Sequence, residues 1–272
     1  MWRSAYCHQQ ACNTLLRQTH LEVRLPDIRH DPAVVDLLLT LVHAAATSSN
    51  MALLPGCPIT TGPNILQALN SMPATSTLQI SSGLSASVKR LSASTEAPLS
   101  WTCTSYRGFP TFATGVLKIP SMPGAHQFVL ANTFPDKQKG FAAHGTQKLS
   151  RVVFHSTSLD RVYAILCEVL KICDGQGIYT AKDPSMSLGY SRPPGLGWPA
   201  SNYKNARVLL GCELSGAHST PAEMLGIHVV TDLSMLMVRY VFLIPAGFSC
   251  PIRAHVEPAM EIAFASLRLG PV

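Results

Sequence analysis

Arg151-Val152-Val153-Phe154-His155-Ser156-Thr157-Ser158-Leu159-Asp160-Arg161-Val162-Tyr163-Ala164-Ile165-Leu166 is the stretch whose reading decides the fold. The β-branched, apolar run 151–154 predicts a short buried strand, which breaks at a His155 corner. Ser158 then offers an N-cap. Val162, Ile165, Leu166, Val169 and Leu170 recur at helical spacing and predict a helix with one apolar face. A strand that runs through a histidine corner into a helix, without a Gly-rich loop, argues against a dinucleotide fold of the doubly wound kind.

Two further runs lie downstream of that corner, Gly177-Ile178-Tyr179 and Ser185-Met186-Ser187-Leu188-Gly189-Tyr190. A histidine at a strand end beside small residues, followed by two tyrosines and a serine, can build a flat slot. Its walls are phenol rings, and backbone and hydroxyl groups remain to hydrogen-bond an amide. Nicotinamide is a flat ring carrying an amide, so the pattern predicts a site for NAD.

Outward from the site, residues 1–30 read as a weakly ordered lead-in. Asp31-Pro32 pairs an N-cap acid with an N1 proline and opens a helix in which Val34, Leu37, Leu38, Leu41, Val42 and Ala45 share a face. A second helix follows Gly62-Pro63, from Asn64 to Asn70, completing a helical region over 31–73. Residues 74–99 are rich in serine and threonine and read as a linker. From there, strands are expected over 111–119 and 127–131 and a helix over 136–143. Further strands are expected over 207–214, 228–231 and 235–243. Short strands mixed with helices, without regular β-α-β alternation, give an α+β class.

The 272 residues suffice for one large or two small domains. Charged residues make up 13%, well below the roughly 25% of typical soluble domains. The net charge of +6 comes from scattered basic residues, not from a run interleaved with aromatics, so nucleic acid is not the expected partner. The eight cysteines form no C-x-x-C pair or metal spacing, and no metal is expected. The apolar stretch 34–46 is too short and too polar for a bilayer span. The absence of an apolar leader and the default of reduced thiols point to an intracellular, cytoplasmic or nuclear location. No G-x-S-x-G elbow supports Ser-His-Asp hydrolysis. His43, His126 and His228 read as surface or capped residues, and Tyr163 and Tyr240 as core.

Taken together, residues 154–166, the run Gly-Ile-Tyr-Thr-Ala-Lys-Asp-Pro-Ser-Met-Ser-Leu-Gly-Tyr-Ser (177–191) and the strands Arg-Val-Leu-Leu-Gly-Cys-Glu-Leu and His-Val-Val-Thr-Asp resemble a known family. They resemble the catalytic domain of the poly(ADP-ribose) polymerase-like ADP-ribosyltransferases, closest in style to the mono-ADP-ribosylating members. The resemblance covers roughly residues 124–245, within a catalytic domain expected over 100–247. A C-terminal extension follows over 248–272. It implies two small packed, mostly antiparallel sheets with flanking helices. A weaker likeness to chains that join such a domain to a ubiquitin-conjugating domain implies a link to the ubiquitin pathway.

By that resemblance NAD is the substrate, proteins are the acceptors of ADP-ribose, and nicotinamide leaves. His155 would hydrogen-bond the ribose next to adenine. The backbone of Ser156, where the family usually has glycine, would face the carboxamide, to which Ser187 would donate its hydroxyl, and Thr157 would also contact the cofactor. Tyr179 and Tyr190 would stack on either side of the ring. Ile227 takes the place of the glutamate that the polymerising members use. It can neither accept a hydrogen bond nor act as a base, so transfer of a single unit is the most this site should do. Glu213 and Asp232 are the nearest acids. The segment before Gly177 is shorter than the family's donor loop, which weakens the expected grip on the adenosine side. The rival reading is a catalytically inactive relative that senses NAD or binds proteins.

Overall fold

Asp31 caps the first helix as the Asp-Pro signature predicts, accepting from the Val34 N–H at 3.2 Å ahead of α1 (Pro32–Thr47). The computed structural model describes residues 31–80, 93–103, 105, 110–130, 135–144, 151–172, 176–191, 197–215 and 226–268. The expected lead-in 1–30 lies outside them. The chain divides into two compact units, taken one at a time. One comprises Met1–Arg107, Leu159–Cys167 and Gly195–Asn205, and the other Gly108–Ser158, Glu168–Pro194 and Ala206–Val272.

In the first unit α1 is buried over its whole length from Val34 to Ala46. α2 (Gly62–Asn70) starts two residues before the expected Asn64 and crosses α1 closely. A Cβ at Gly62 would come within 2.4 Å of the Ala46 carbonyl oxygen, so only glycine permits the approach. Two polar residues inside α1 meet the turn at 198–203, while Asp36 Oδ1 stays buried without a hydrogen-bond partner among the described residues. Thr40 donates to Ser201 Oγ at 2.6 Å, and Asp36 Oδ2 accepts from the Asn202 N–H and Nδ2. Burial raises the Asp36 pKa despite these bonds.

The serine- and threonine-rich stretch holds two helices among its described residues, α3 (Thr75–Ile80) and α4 (Ala93–Thr102). Hydroxyl residues have poor helix propensity, which is why the sequence reads as linker. Burial of Leu78 and Leu99 overrides that preference. α6 (Leu159–Glu168) completes this unit, with Tyr163 buried and its hydroxyl bonded to Ser105 and the Thr102 carbonyl.

The second unit carries the sheet. Its strands are β1 (Pro110–Phe112), β2 (His126–Leu130), β3 (Arg151–His155), β4 (Ile178–Ala181), β5 (Arg207–Leu214), β6 (Ile227–Val230) and β7 (Leu236–Ile244). They form one antiparallel sheet in the order β1-β2-β7-β5-β3-β4-β6. This corrects the expectation of two packed sheets. The two longest strands, β5 and β7, pair with each other over their full length, and each also holds a neighbour on its far side, which joins the halves into one sheet. A register shift at Gly211/Cys212 marks an irregularity in that joint.

The strand expected over 111–119 stops at Phe112 and gives way to a 3₁₀ turn at Gly115–Leu117. The reason is a buried side chain. Gln127 Oε1 accepts from the Ile119 N–H, and its Nε2 donates to the Ile119 and Met122 carbonyls. These bonds satisfy backbone groups that a ladder would otherwise have to satisfy.

Helices α5 (Pro135–His144), α7 (Pro184–Leu188) and α8 (Arg253–Arg268) complete the unit. Val256, Met260, Ala263 and Phe264 of α8 pack into one cluster with Phe154, Leu209, Tyr240 and Phe242. Full burial of each large side chain stabilises by about 1.5–3 kcal/mol. Phe154, the residue before the histidine corner, is thereby fixed in the core. Of the histidines read as surface or capped, two are not at the surface. Both are buried, His43 on α1 and His228 on the inward face of β6. Among the described residues no helix is long and apolar enough to cross a membrane.

Candidate functional site

His155 is the last residue of β3, and its Nδ1 lies 2.8 Å from the Tyr179 carbonyl oxygen. A carbonyl oxygen only accepts, so Nδ1 carries the proton and Nε2 the lone pair. Burial pushes the imidazole pKa below 6.5, against the raising effect of the bond to Tyr179, so the ring is neutral at physiological pH. One tautomer is thus selected, presenting Nε2 as an acceptor suited to a hydroxyl.

Tyr179 sits on β4, opposite Val229 of β6, while Ala181 lies opposite Ile227. Directly paired residues and those two apart project to one face, so Tyr179 and Ile227 share a face of the sheet. Gly177 leads into the strand at φ +125°, and a Cβ there would meet the Val230 carbonyl oxygen at 2.8 Å. Only glycine lets the chain enter β4 this close to β6. The Tyr179 ring is 53% exposed and its hydroxyl donates to Gln176 Oε1 at 2.9 Å.

Tyr190 follows the five-residue helix α7 and is 73% exposed. So short a helix depends on its cap. Asp183 supplies it, accepting from Ser185 N and Oγ and from Met186 N and meeting the Arg253 N–H at the start of α8. Despite the opposing effect of partial burial, these bonds hold the Asp183 pKa below its ordinary value.

The remaining expected residues cluster around His155. Ser187 is 4% exposed and donates its hydroxyl to the Phe154 carbonyl at 2.8 Å. A hydroxyl has one proton, so in this state Ser187 offers a ligand an acceptor, where the resemblance expects a donor. Ser156 Oγ donates to the Val208 carbonyl, and the Thr157 carbonyl accepts from Ser191 Oγ at 3.3 Å. His155 and Tyr179 are therefore joined by a bond. Ser156, Thr157 and Ser187 are tied to the same corner, and Ile227 lies in the neighbouring register. Among the described residues no ring contact joins Tyr179 to Tyr190.

Neither nearby acid is placed for catalysis. Glu213 is 0% exposed and lies between two guanidinium groups, Arg239 Nε at 2.9 Å and Arg268 Nε at 2.7 Å. Asp232 caps the 3₁₀ turn at Leu233–Met235 and lies 3.7 Å from His144 Nε2. Among the described residues no group of three or more His, Cys, Asp or Glu side chains could hold a metal.

Sequence reasoning missed Ser191, Gln176 and the bridging role of Asp183. Only Asp183 carried a legible signal, an Asp-Pro pair at a helix start. No protein-family model matches the chain, and no curated protein matches it. The motifs and the geometry around His155 are what speak for a function.

Proposed function

We propose that this protein transfers a single ADP-ribose unit from NAD to a protein side chain and releases nicotinamide. The observation that carries this reading is the His155–Tyr179 bond. It holds a neutral imidazole with its Nε2 lone pair at the end of β3, and exposed phenol rings follow at Tyr179 on β4 and at Tyr190 just after α7. Nε2 would accept a ribose hydroxyl, the rings would sandwich the pyridine, and the backbone at 156–157 would read its amide. The bond to nicotinamide breaks as positive charge develops on the anomeric carbon, and a nucleophile of the acceptor protein takes its place. Such a step needs positioning and charge stabilisation more than a strong acid. Without a carboxylate at position 227, no group on β6 activates a ribose hydroxyl for chain extension.

Incubation with NAD labelled on the adenylate tests the reading. Label should pass to protein, as one unit per site, and be lost in His155→Ala and Tyr179→Ala. A second reading, an inactive module that binds NAD or a protein, is favoured by the engagement of Glu213 in ion pairs and by Ile227. Saturable NAD binding without transfer would select it, and absence of both binding and transfer would remove the NAD site altogether.

A further inference from the structure

β3 and β5 pair from Arg151↔Leu214 to His155↔Leu210, and continuation of that ladder would place Thr157 opposite Val208. The chain does not continue it. Two serine hydroxyls occupy the gap. The Val208 N–H donates to Ser191 Oγ at 3.3 Å, and that same hydroxyl donates to the Thr157 carbonyl at 3.3 Å. The Val208 carbonyl accepts from Ser156 Oγ. In an antiparallel strand the N–H and C=O of one residue point to the same side, so both bonding groups of Val208 face the gap and both are met by hydroxyls.

We propose that Ser156 and Ser191 are positioning residues, forming a hydroxyl wedge that detaches the backbone of 156–157 from β5 and fixes it for reading a carboxamide. This rests on the proposed NAD site. It also accounts for serine where the family resemblance expects glycine. The extra side chain is folded into the gap and bonded to the Val208 carbonyl. The ligand read by this backbone is a planar aromatic carboxamide, and the wedge acts on that moiety, not on the ADP-ribose portion.

The test measures binding of benzamide and, separately, of ADP-ribose to the full chain and to Ser156→Ala, Ser156→Gly, Ser191→Ala and Ser156→Thr. Loss of one hydroxyl tie should weaken benzamide by roughly three- to tenfold. Ser156→Thr, which keeps the hydroxyl, should stay within about twofold of the native affinity, and ADP-ribose should change by less than about twofold in every variant. Benzamide binding by Ser156→Gly at or above native strength would overturn the wedge while leaving the NAD site standing. Equal weakening of both ligands, with a lowered unfolding midpoint, would overturn it too, because a purely structural role does that. If the native chain binds neither ligand, the site itself and the wedge fall together.

Discussion

Glu213→Gln should unfold the sheet unit long before it touches any chemistry. The carboxylate is 0% exposed and lies between Arg239, 3% exposed, and the half-exposed Arg268. Glutamine keeps the shape and removes the charge, which leaves the Arg239 guanidinium buried without a counter-ion. Breaking one side of a buried pair costs about 3–5 kcal/mol. The Arg268 arm adds little, because that side chain reaches solvent and exposed pairs contribute about 0–1 kcal/mol. At about 2–4 °C per kcal/mol for a unit of this size, the unfolding midpoint should fall by roughly 6–20 °C. Calorimetry on Glu213→Gln, Arg239→Met, Arg268→Ala and the double variant Glu213→Leu/Arg239→Met reads this directly. The double variant should recover most of the loss, since a matched apolar pair leaves no orphaned charge. A Glu213→Gln protein with a native midpoint and no turnover would refute the reasoning and make Glu213 the missing catalytic acid.

Tyr179→Ala and Tyr190→Ala should leave the unfolding midpoint within about 1 °C, because both rings are exposed, yet weaken a nicotinamide mimic roughly 2–13-fold each by loss of one aromatic face. His155 titrates below 6.5 in the folded chain, so the unfolded chain takes up its proton first as pH falls. Its contribution to stability is intact above about 6.5 and declines below it until the folded pKa is passed. NAD affinity should hold through most of that window and fall below it, where the folded pKa is passed and Nε2 takes up a proton. Calorimetry and titration from pH 8 to 5 follow both, and His155→Gln should flatten the two profiles. Gly177→Ala should cost more than about 2 kcal/mol from positive φ and the contact with Val230. It should also lower binding through Tyr179, measured by denaturation and mimic affinity together.

Legibility in the sequence followed the range of the physics involved. The β3 strand, the His155 corner and the capped helices were readable because cap residues, β-branching and apolar periodicity act within a few residues. The order of Tyr179, Ser187 and Tyr190 along the chain was legible, but the bonds from His155 to the Tyr179 carbonyl and from Ser187 to the Phe154 carbonyl were not. The extent of the strand after Phe112 was not, because Gln127, a side chain from the next strand, decides where that ladder ends. The helices in 74–99 escaped for a similar reason, since their stability comes from burial and not from propensity.

The order of residues by itself therefore determined the α+β class, the β3 strand and the Asp31-capped helix. Tertiary structure alone decided that one sheet exists instead of two, because pairing of β5 with β7 is a contact between distant segments. It alone fixed the His155 tautomer, set by a carbonyl 24 residues away. It alone gave Ser156 and Ser191 a common partner in Val208, because a hydroxyl's bond depends on what folding brings within about 3 Å of it.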